Sequence, residues 1–91
     1  SYAISKAGIV QLTKYLASYY REKNIRINCL SPGGVFDNHD DLFNEQYSHR
    51  TTLGRMANND EYNGAILFLC SEASSYMTGA NLIVDGGWTV I

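Results

Sequence analysis

One proline, two cysteines and two histidines are found in 91 residues, and no stretch concentrates positive charge. Each scarcity excludes something. Cys29 and Cys70 both lie in apolar contexts, Ile27-Asn28-Cys29-Leu30 and Phe68-Leu69-Cys70, so two buried thiols are expected rather than a disulfide. With His39 and His49 they match no metal-ligand spacing, and no metal site is expected. Seven Lys and Arg against nine Asp and Glu leave a net charge of −2. Such a surface has no footprint for nucleic acid or for an anionic membrane. No apolar run approaches the roughly 18 residues needed to cross a bilayer. No basic segment leads into an apolar core, so a cytoplasmic setting is the expectation.

What is there is ordinary folded-protein material, 45% hydrophobic and 18% charged. Residues 2 to about 22 read as one long helix. Ile9, Leu12, Leu16 and Tyr19 recur at helical spacing, and Val10 and Tyr20 widen the stripe. Gly8 weakens that helix, which suggests close approach of a backbone or ligand. Tyr15, Tyr19 and Tyr20 read as core or subunit-interface packing. Ile25-Arg26-Ile27-Asn28-Cys29-Leu30 reads as a strand that stops at Ser31-Pro32-Gly33-Gly34.

Residues 37–57 read as a surface loop with a short helix near 40–49, of the length used for lids and binding loops. His39 within it is either a substrate contact or an exposed loop histidine. Asn58-Asn59-Asp60-Glu61 carries a helix-capping pattern. The helix behind it is expected from Tyr62 to about Ser71, with Ala65, Ile66, Leu69 and Cys70 as its apolar face and Phe68 at its edge. Residues 73–79 read as a turn. Asn81-Leu82-Ile83-Val84-Asp85 reads as a second strand, ended by Gly86-Gly87. Helix, strand, helix, strand is α/β order, with a parallel, right-handed strand–crossover–strand unit. In such sheets ligands sit beyond the carboxyl ends of the strands, where residues 32–37 fall.

Two strands cannot make a sheet covered on both faces, and the helical pattern is already in full stride at residue 2. The chain therefore reads as a segment of a larger domain.

Tyr2 and Lys6 stand one helical turn apart on one face. A phenol with a pKa near ~10 is a poor acid or base at neutral pH, and making it one needs about 4 kcal/mol of preferential stabilisation of the phenolate. A neighbouring ammonium supplies part of that. The pattern Tyr-x-x-x-Lys is common on amphipathic helices, so its weight comes from its company. That company is Arg26-Ile27-Asn28-Cys29-Leu30-Ser31-Pro32-Gly33, Leu53-Gly54-Arg55, Phe68-Leu69-Cys70-Ser71 and Thr78-Gly79-Ala80-Asn81-Leu82-Ile83-Val84-Asp85-Gly86-Gly87. Together, in this order, they resemble the C-terminal part of a short-chain dehydrogenase/reductase over essentially the whole chain.

The resemblance implies the C-terminal portion of a Rossmann-type doubly wound parallel sheet, with residues 1–91 a segment of one NAD(P)-binding domain and its N-terminal half elsewhere. It implies an NAD(P)-dependent oxidoreductase interconverting a secondary alcohol and a carbonyl. Tyr2 would be the catalytic acid/base. Lys6 would lower its pKa and hydrogen-bond the nicotinamide ribose. Pro32, Gly33 and Val35 would line the nicotinamide end, and Asp37 stands where the family usually places a carboxamide-binding Thr. The first helix would pair with its counterpart in a homodimer or homotetramer.

The glycine-rich phosphate loop, the adenine-ribose residue and the catalytic Ser and Asn normally lie upstream and are not among these residues. Ser1 is not taken as that serine, and Ser5 reads as structural. The Asp, Asn and His content of residues 37–57 suits a sugar derivative or another polar hydroxylated substrate. The alternative is a non-catalytic cofactor-binding or scaffold protein of the same fold, for which Asp37 in place of Thr is the hint.

Overall fold

The computed structural model describes residues 2–36 and 41–90, Tyr2 through its backbone only. Helix α1 spans Tyr2–Tyr19, strand β1 Cys29–Pro32, helix α2 Asp41–His49, helix α3 Asn63–Leu69 and strand β2 Asn81–Val84. Short 3₁₀ turns at Glu72–Ser74 and Trp88–Val90 follow α3 and β2. The two strands pair in parallel, with Cys29 opposite Asn81 and Pro32 opposite Val84. The α/β order and parallel sheet expected from the sequence are therefore present.

Helix α1 ends earlier than its hydrophobic pattern suggests. Glu22 and Asn24 take positive φ values of 63° and 59°, and the chain turns through residues 20–24. The face that α1 turns inward also differs from the expected stripe. Thr13 is buried, and Val10, Leu16 and Ala17 are half-buried, whereas Ile9, Leu12, Tyr15 and Tyr19 are exposed. Val10, Thr13 and Ala17 follow Lys6 at four-, three- and four-residue steps, so the sheet-facing stripe continues from the Tyr2–Lys6 face. Its side chains are small because it approaches backbone: a Cβ at Gly79 would lie 3.4 Å from that of Ala17. Thr13 satisfies its own hydroxyl by donating to the Ile9 carbonyl at 2.9 Å. The Tyr15–Tyr19–Tyr20 cluster forms ring contacts on the outside of the helix rather than a core. No atom of the described residues would touch a Cβ at Gly8.

Strand β1 starts later and ends later than the β-branched run implies. Residues 25–28 run beside 77–80 but are joined largely through side chains, which removes them from a regular ladder. The Ile27 amide donates to Thr78 Oγ1 at 3.2 Å, and Asn28 Nδ2 donates to the Met77 carbonyl at 3.1 Å. The Ala80 amide donates to Asn28 Oδ1 at 3.0 Å. Pro32 is the last strand residue, not the breaker. On the β2 side the donors are the amides of Cys29 and Gly33, to the Ala80 and Val84 carbonyls at 2.8 and 2.9 Å. Pro32 falls between donor positions, so its missing N–H costs this pairing nothing.

The buried hydrophobic residues among those described are Met56 and Tyr62, joined by Thr51 and Ser74. Three of these buried residues thus lie within 51–62, whereas α1 buries Thr13 alone among its described side chains. Cys29 is half-buried and Cys70 is exposed, both as free thiols. The expected burial fails for Cys70 because the apolar face of α3 is uncovered, with Ile66 and Leu67 also exposed. Among the described residues no group of His, Cys, Asp or Glu could hold a metal ion, and no helix is long and apolar enough to cross a membrane.

Candidate active site

Two of the residues suggested by the sequence, Lys6 and Pro32, meet where α1 approaches the carboxyl end of β1. Lys6 lines a cleft of about 190 Å³ with Ile9, Val10, Leu30 and Pro32. This places Lys6 of the Tyr2-x-x-x-Lys6 pattern at the strand end that the Pro-Gly turn extends. Tyr2 begins α1, one turn before Lys6 on the same helical face. Asp37 and His39 lie outside the described residues.

The turn after β1 is held by specific bonds. The Gly33 amide closes the ladder on Val84, and the Gly33 carbonyl accepts the Tyr62 hydroxyl at 3.1 Å. A side chain at Gly33 would come within 2.8 Å of the Asp85 Cα, so only glycine lets the two strand ends close to this distance. The Gly34 amide donates to the Tyr47 hydroxyl oxygen, and the Gly34 carbonyl accepts the Ala57 amide at 2.9 Å. Val35 forms an isolated parallel bridge with Ala57, supported by the Phe36 amide on the Ala57 carbonyl at 2.7 Å. Pro32, Gly33 and Val35 therefore sit together on a turn with a fixed backbone, with Lys6 beside its first residue. Burial pushes the Tyr62 phenol up from its ordinary pKa. Tyr62 is a neutral donor to a carbonyl and not a proton carrier.

A second cleft of about 540 Å³ opens at the same strand ends, lined by Ser31, Pro32, Gly33, Gly34, Asp85 and Trp88 among others. Asp85 shapes it. Its carboxylate accepts the Gly87 amide at 3.0 Å and the Thr89 amide at 3.3 Å, capping the final 3₁₀ turn. Gly86 and Gly87 take φ values of 65° and 85°, and the Gly86 carbonyl accepts the Leu53 amide at 2.9 Å. The Leu53-Gly54-Arg55 and Asp85-Gly86-Gly87 pieces are thus two sides of one contact. Arg55 leaves it to grip Glu61, with Nη2 to Oε2 at 2.9 Å. Glu61 also accepts the Asn58 amide at 2.9 Å, the pairing the capping pattern anticipates, but it closes a turn and not the helix: α3 begins at Asn63, with Tyr62 before it and no side-chain cap bond.

Three aromatic residues of this region are not singled out by sequence reasoning: Tyr47, Tyr62 and Trp88. Their available signal is position. Each is an amphipathic ring one element away from a glycine turn, where a ring fills space and a hydroxyl or N–H meets free backbone groups.

A family model described as enoyl-(acyl carrier protein) reductase matches residues 1–89. The chain is 43% identical over 96 residues to a D-arabinitol 2-dehydrogenase (ribulose-forming) of Scheffersomyces stipitis, covering 96% of this chain and 34% of that protein. It is 43% identical over 97 residues to an NADH-dependent L-xylulose reductase of Ambrosiozyma monospora, covering 97% of this chain and 35% of that protein. A short-chain dehydrogenase from Leptospira borgpetersenii with bound NAD+ superposes with a TM-score of 0.93 at 50% identity, covering 97% of this chain and 35% of that one. The chain thus spans about a third of the length of these relatives. Ordered motifs, parallel sheet and sequence match agree: the chain belongs to the short-chain dehydrogenase/reductase family.

Proposed function

We propose that residues 1–91 are the C-terminal segment of one NAD(P)-binding domain whose protein interconverts a secondary alcohol and a carbonyl with NAD or NADP. The observation that carries this reading is the cleft shared by Lys6 and Pro32. A cationic side chain stands there beside an apolar wall of Ile9, Val10 and Leu30. That donor set fits a nicotinamide nucleoside, with an ammonium for ribose hydroxyls and aliphatic surface for the ring. Bound there, the nicotinamide supplies the hydride acceptor or donor. An NADH-dependent L-xylulose reductase and a short-chain dehydrogenase with bound NAD+ among the relatives support this assignment.

In this reading Lys6 binds the ribose and stabilises the phenolate of Tyr2. During oxidation, Tyr2 takes the proton from the substrate hydroxyl as the carbinol C–H bond yields its hydride. During reduction it returns a proton to the carbonyl oxygen. Pro32, Gly33 and Val35 hold backbone against the nicotinamide end, and Asp37 stands in the sequence where the family usually places a carboxamide-binding Thr. The substrate class is a polyol or ketose, supported by the polar residues of segment 37–57 and by the arabinitol and xylulose enzymes among the relatives. A homodimer or homotetramer built on the exposed face of α1 accompanies this reading.

The test is NAD(P)H absorbance with a panel of pentitols, hexitols and ketoses in the full-length protein. Tyr2→Phe should lower kcat by roughly 100-fold or more, the usual weight of a general acid/base. Cofactor affinity should be preserved. Full-rate turnover by Tyr2→Phe would remove the acid/base assignment.

A further inference from the structure

The two glycines of the turn are anchored differently. Gly33 belongs to the sheet: its amide is on Val84, its Cα faces Asp85, and its carbonyl takes Tyr62. The Gly34 amide belongs to α2, because its acceptor is the hydroxyl oxygen of Tyr47. A side chain at Gly34 would collide with the Tyr47 ring, so the contact needs both residues as they are. The Tyr47 ring in turn lies on Trp88, with centroids 4.4 Å apart and planes 24° apart. The Arg50 guanidinium, one residue beyond α2, stands 5.9 Å over the same indole. Helix α2 is therefore seated on the 3₁₀ turn that follows β2 by a stacked ring, and reaches the Gly33–Gly34 turn through one oxygen.

Stacking alone would seat α2, and a phenylalanine would do it. Among the described residues the hydroxyl's hydrogen bond is to Gly34, the peptide adjoining the Pro32–Gly33 backbone. We propose that Tyr47 is a positioning residue: by accepting the Gly34 amide hydrogen it sets the turn that faces the nicotinamide, and it does so only while α2 is seated on Trp88. This rests on the function proposed above. It adds that a substrate contacting α2 and a cofactor contacting the turn strengthen one another's binding through Tyr47, by equal factors in both directions.

The experiment compares the full-length protein with its Tyr47→Phe and Trp88→Leu variants. Amide hydrogen exchange is followed at Gly34, and NAD+ and NADP+ are titrated by calorimetry with and without a polyol. Tyr47→Phe leaves the Gly34 amide without its acceptor, which should weaken dinucleotide binding by about 3- to 30-fold. The Gly34 amide should exchange faster, and KM for the cofactor should rise more than kcat falls. The melting temperature should change little, because the ring stack is kept. Trp88→Leu keeps the hydroxyl but removes its seat, and should weaken dinucleotide binding in the same direction. A role limited to packing would lower the melting temperature and leave cofactor affinity alone. Wild-type dinucleotide affinity in either well-folded variant would overturn the proposal. A wild-type protein that binds neither dinucleotide would instead overturn the proposed function, and the cofactor role of Tyr47 with it.

Discussion

Single residues here do their work through backbone atoms more than through each other, and the main exception is the Arg55–Glu61 pair. Two guanidinium nitrogens meet the two carboxylate oxygens, and a backbone amide adds a third donor. The hydrogen bond from Arg55, then that from the Asn58 amide, brings the Glu61 carboxyl from 4.5 to about 2, and Glu61 in return raises Arg55. A carboxyl whose pKa is lowered on folding stabilises the fold above its unfolded value. That contribution disappears as pH falls towards the folded value. The window is therefore between pH 4.5 and about 2. Both side chains are solvent-accessible, so the effect is small and salt-sensitive. In thermal melts at low salt, Glu61→Gln should lie below wild type at pH 7 and converge with it across that window. A constant difference down to pH 2 would mean that Glu61 acts through packing and not through its charge.

At the scale of elements, Arg26 joins pieces that are individually too short to persist. Helix α3 has seven residues, well under the length at which a helix is stable alone. Arg26 closes its carboxyl end. Nη2 donates to the Leu69 and Ser71 carbonyls at 3.1 and 3.4 Å, and Nη1 to those of Ser74 and Met77 at 2.8 and 3.1 Å. A lysine can keep the charge at this helix end but not the fork. Arg26→Lys should cost about 1–2 kcal/mol, read as a lower urea midpoint at unchanged slope in the full-length protein. Amides of residues 66–70 should exchange faster as well. No change in either reading would assign the staple to other contacts.

The same element shows how much the sequence discloses. Glycine signals locate the turns that follow β1 and β2, because their causes are local: Gly86 and Gly87 need positive φ, and Gly33 leaves room for the close approach of Asp85. The order of elements follows from such local signals and from hydrophobic periodicity, whereas the meeting of Lys6 with Pro32 is what the family resemblance implies. Three other features are not local. The strand shifts towards Pro32 because Arg26, Asn28 and Thr78 bond across about 50 residues of chain. The buried face of α1 runs through Thr13 and Ala17 because it lies on backbone, which hydrophobicity does not record. The roles of Tyr47 and Tyr62 depend on which carbonyl or amide their hydroxyls meet in space.

The whole molecule has more surface than its mass accounts for. A compact protein of 10.1 kDa exposes about 5300 Å² by the scaling of monomeric proteins, whereas this chain exposes 6954 Å². Its radius of gyration is 15.3 Å, against about 12 Å expected for a chain of this length. Large apolar side chains contribute to this surface, with Ile4, Ile9, Leu12 and Tyr15 outward on α1, Leu67 on α3 and Ile83 on β2. Patches of this kind are stable in water only when another surface covers them. A two-stranded sheet also leaves ladder groups open along its edges. The 91-residue chain produced alone should therefore bind a hydrophobic dye, elute as self-associated species and melt broadly. The same residues within the full-length protein should melt cooperatively, with the dye excluded. Size-exclusion chromatography with light scattering, paired with calorimetry, separates the outcomes. A monomeric 91-residue chain with a sharp transition would show that the pairing of β1 with β2 and the packing around Met56 and Tyr62 suffice without any cover for α1.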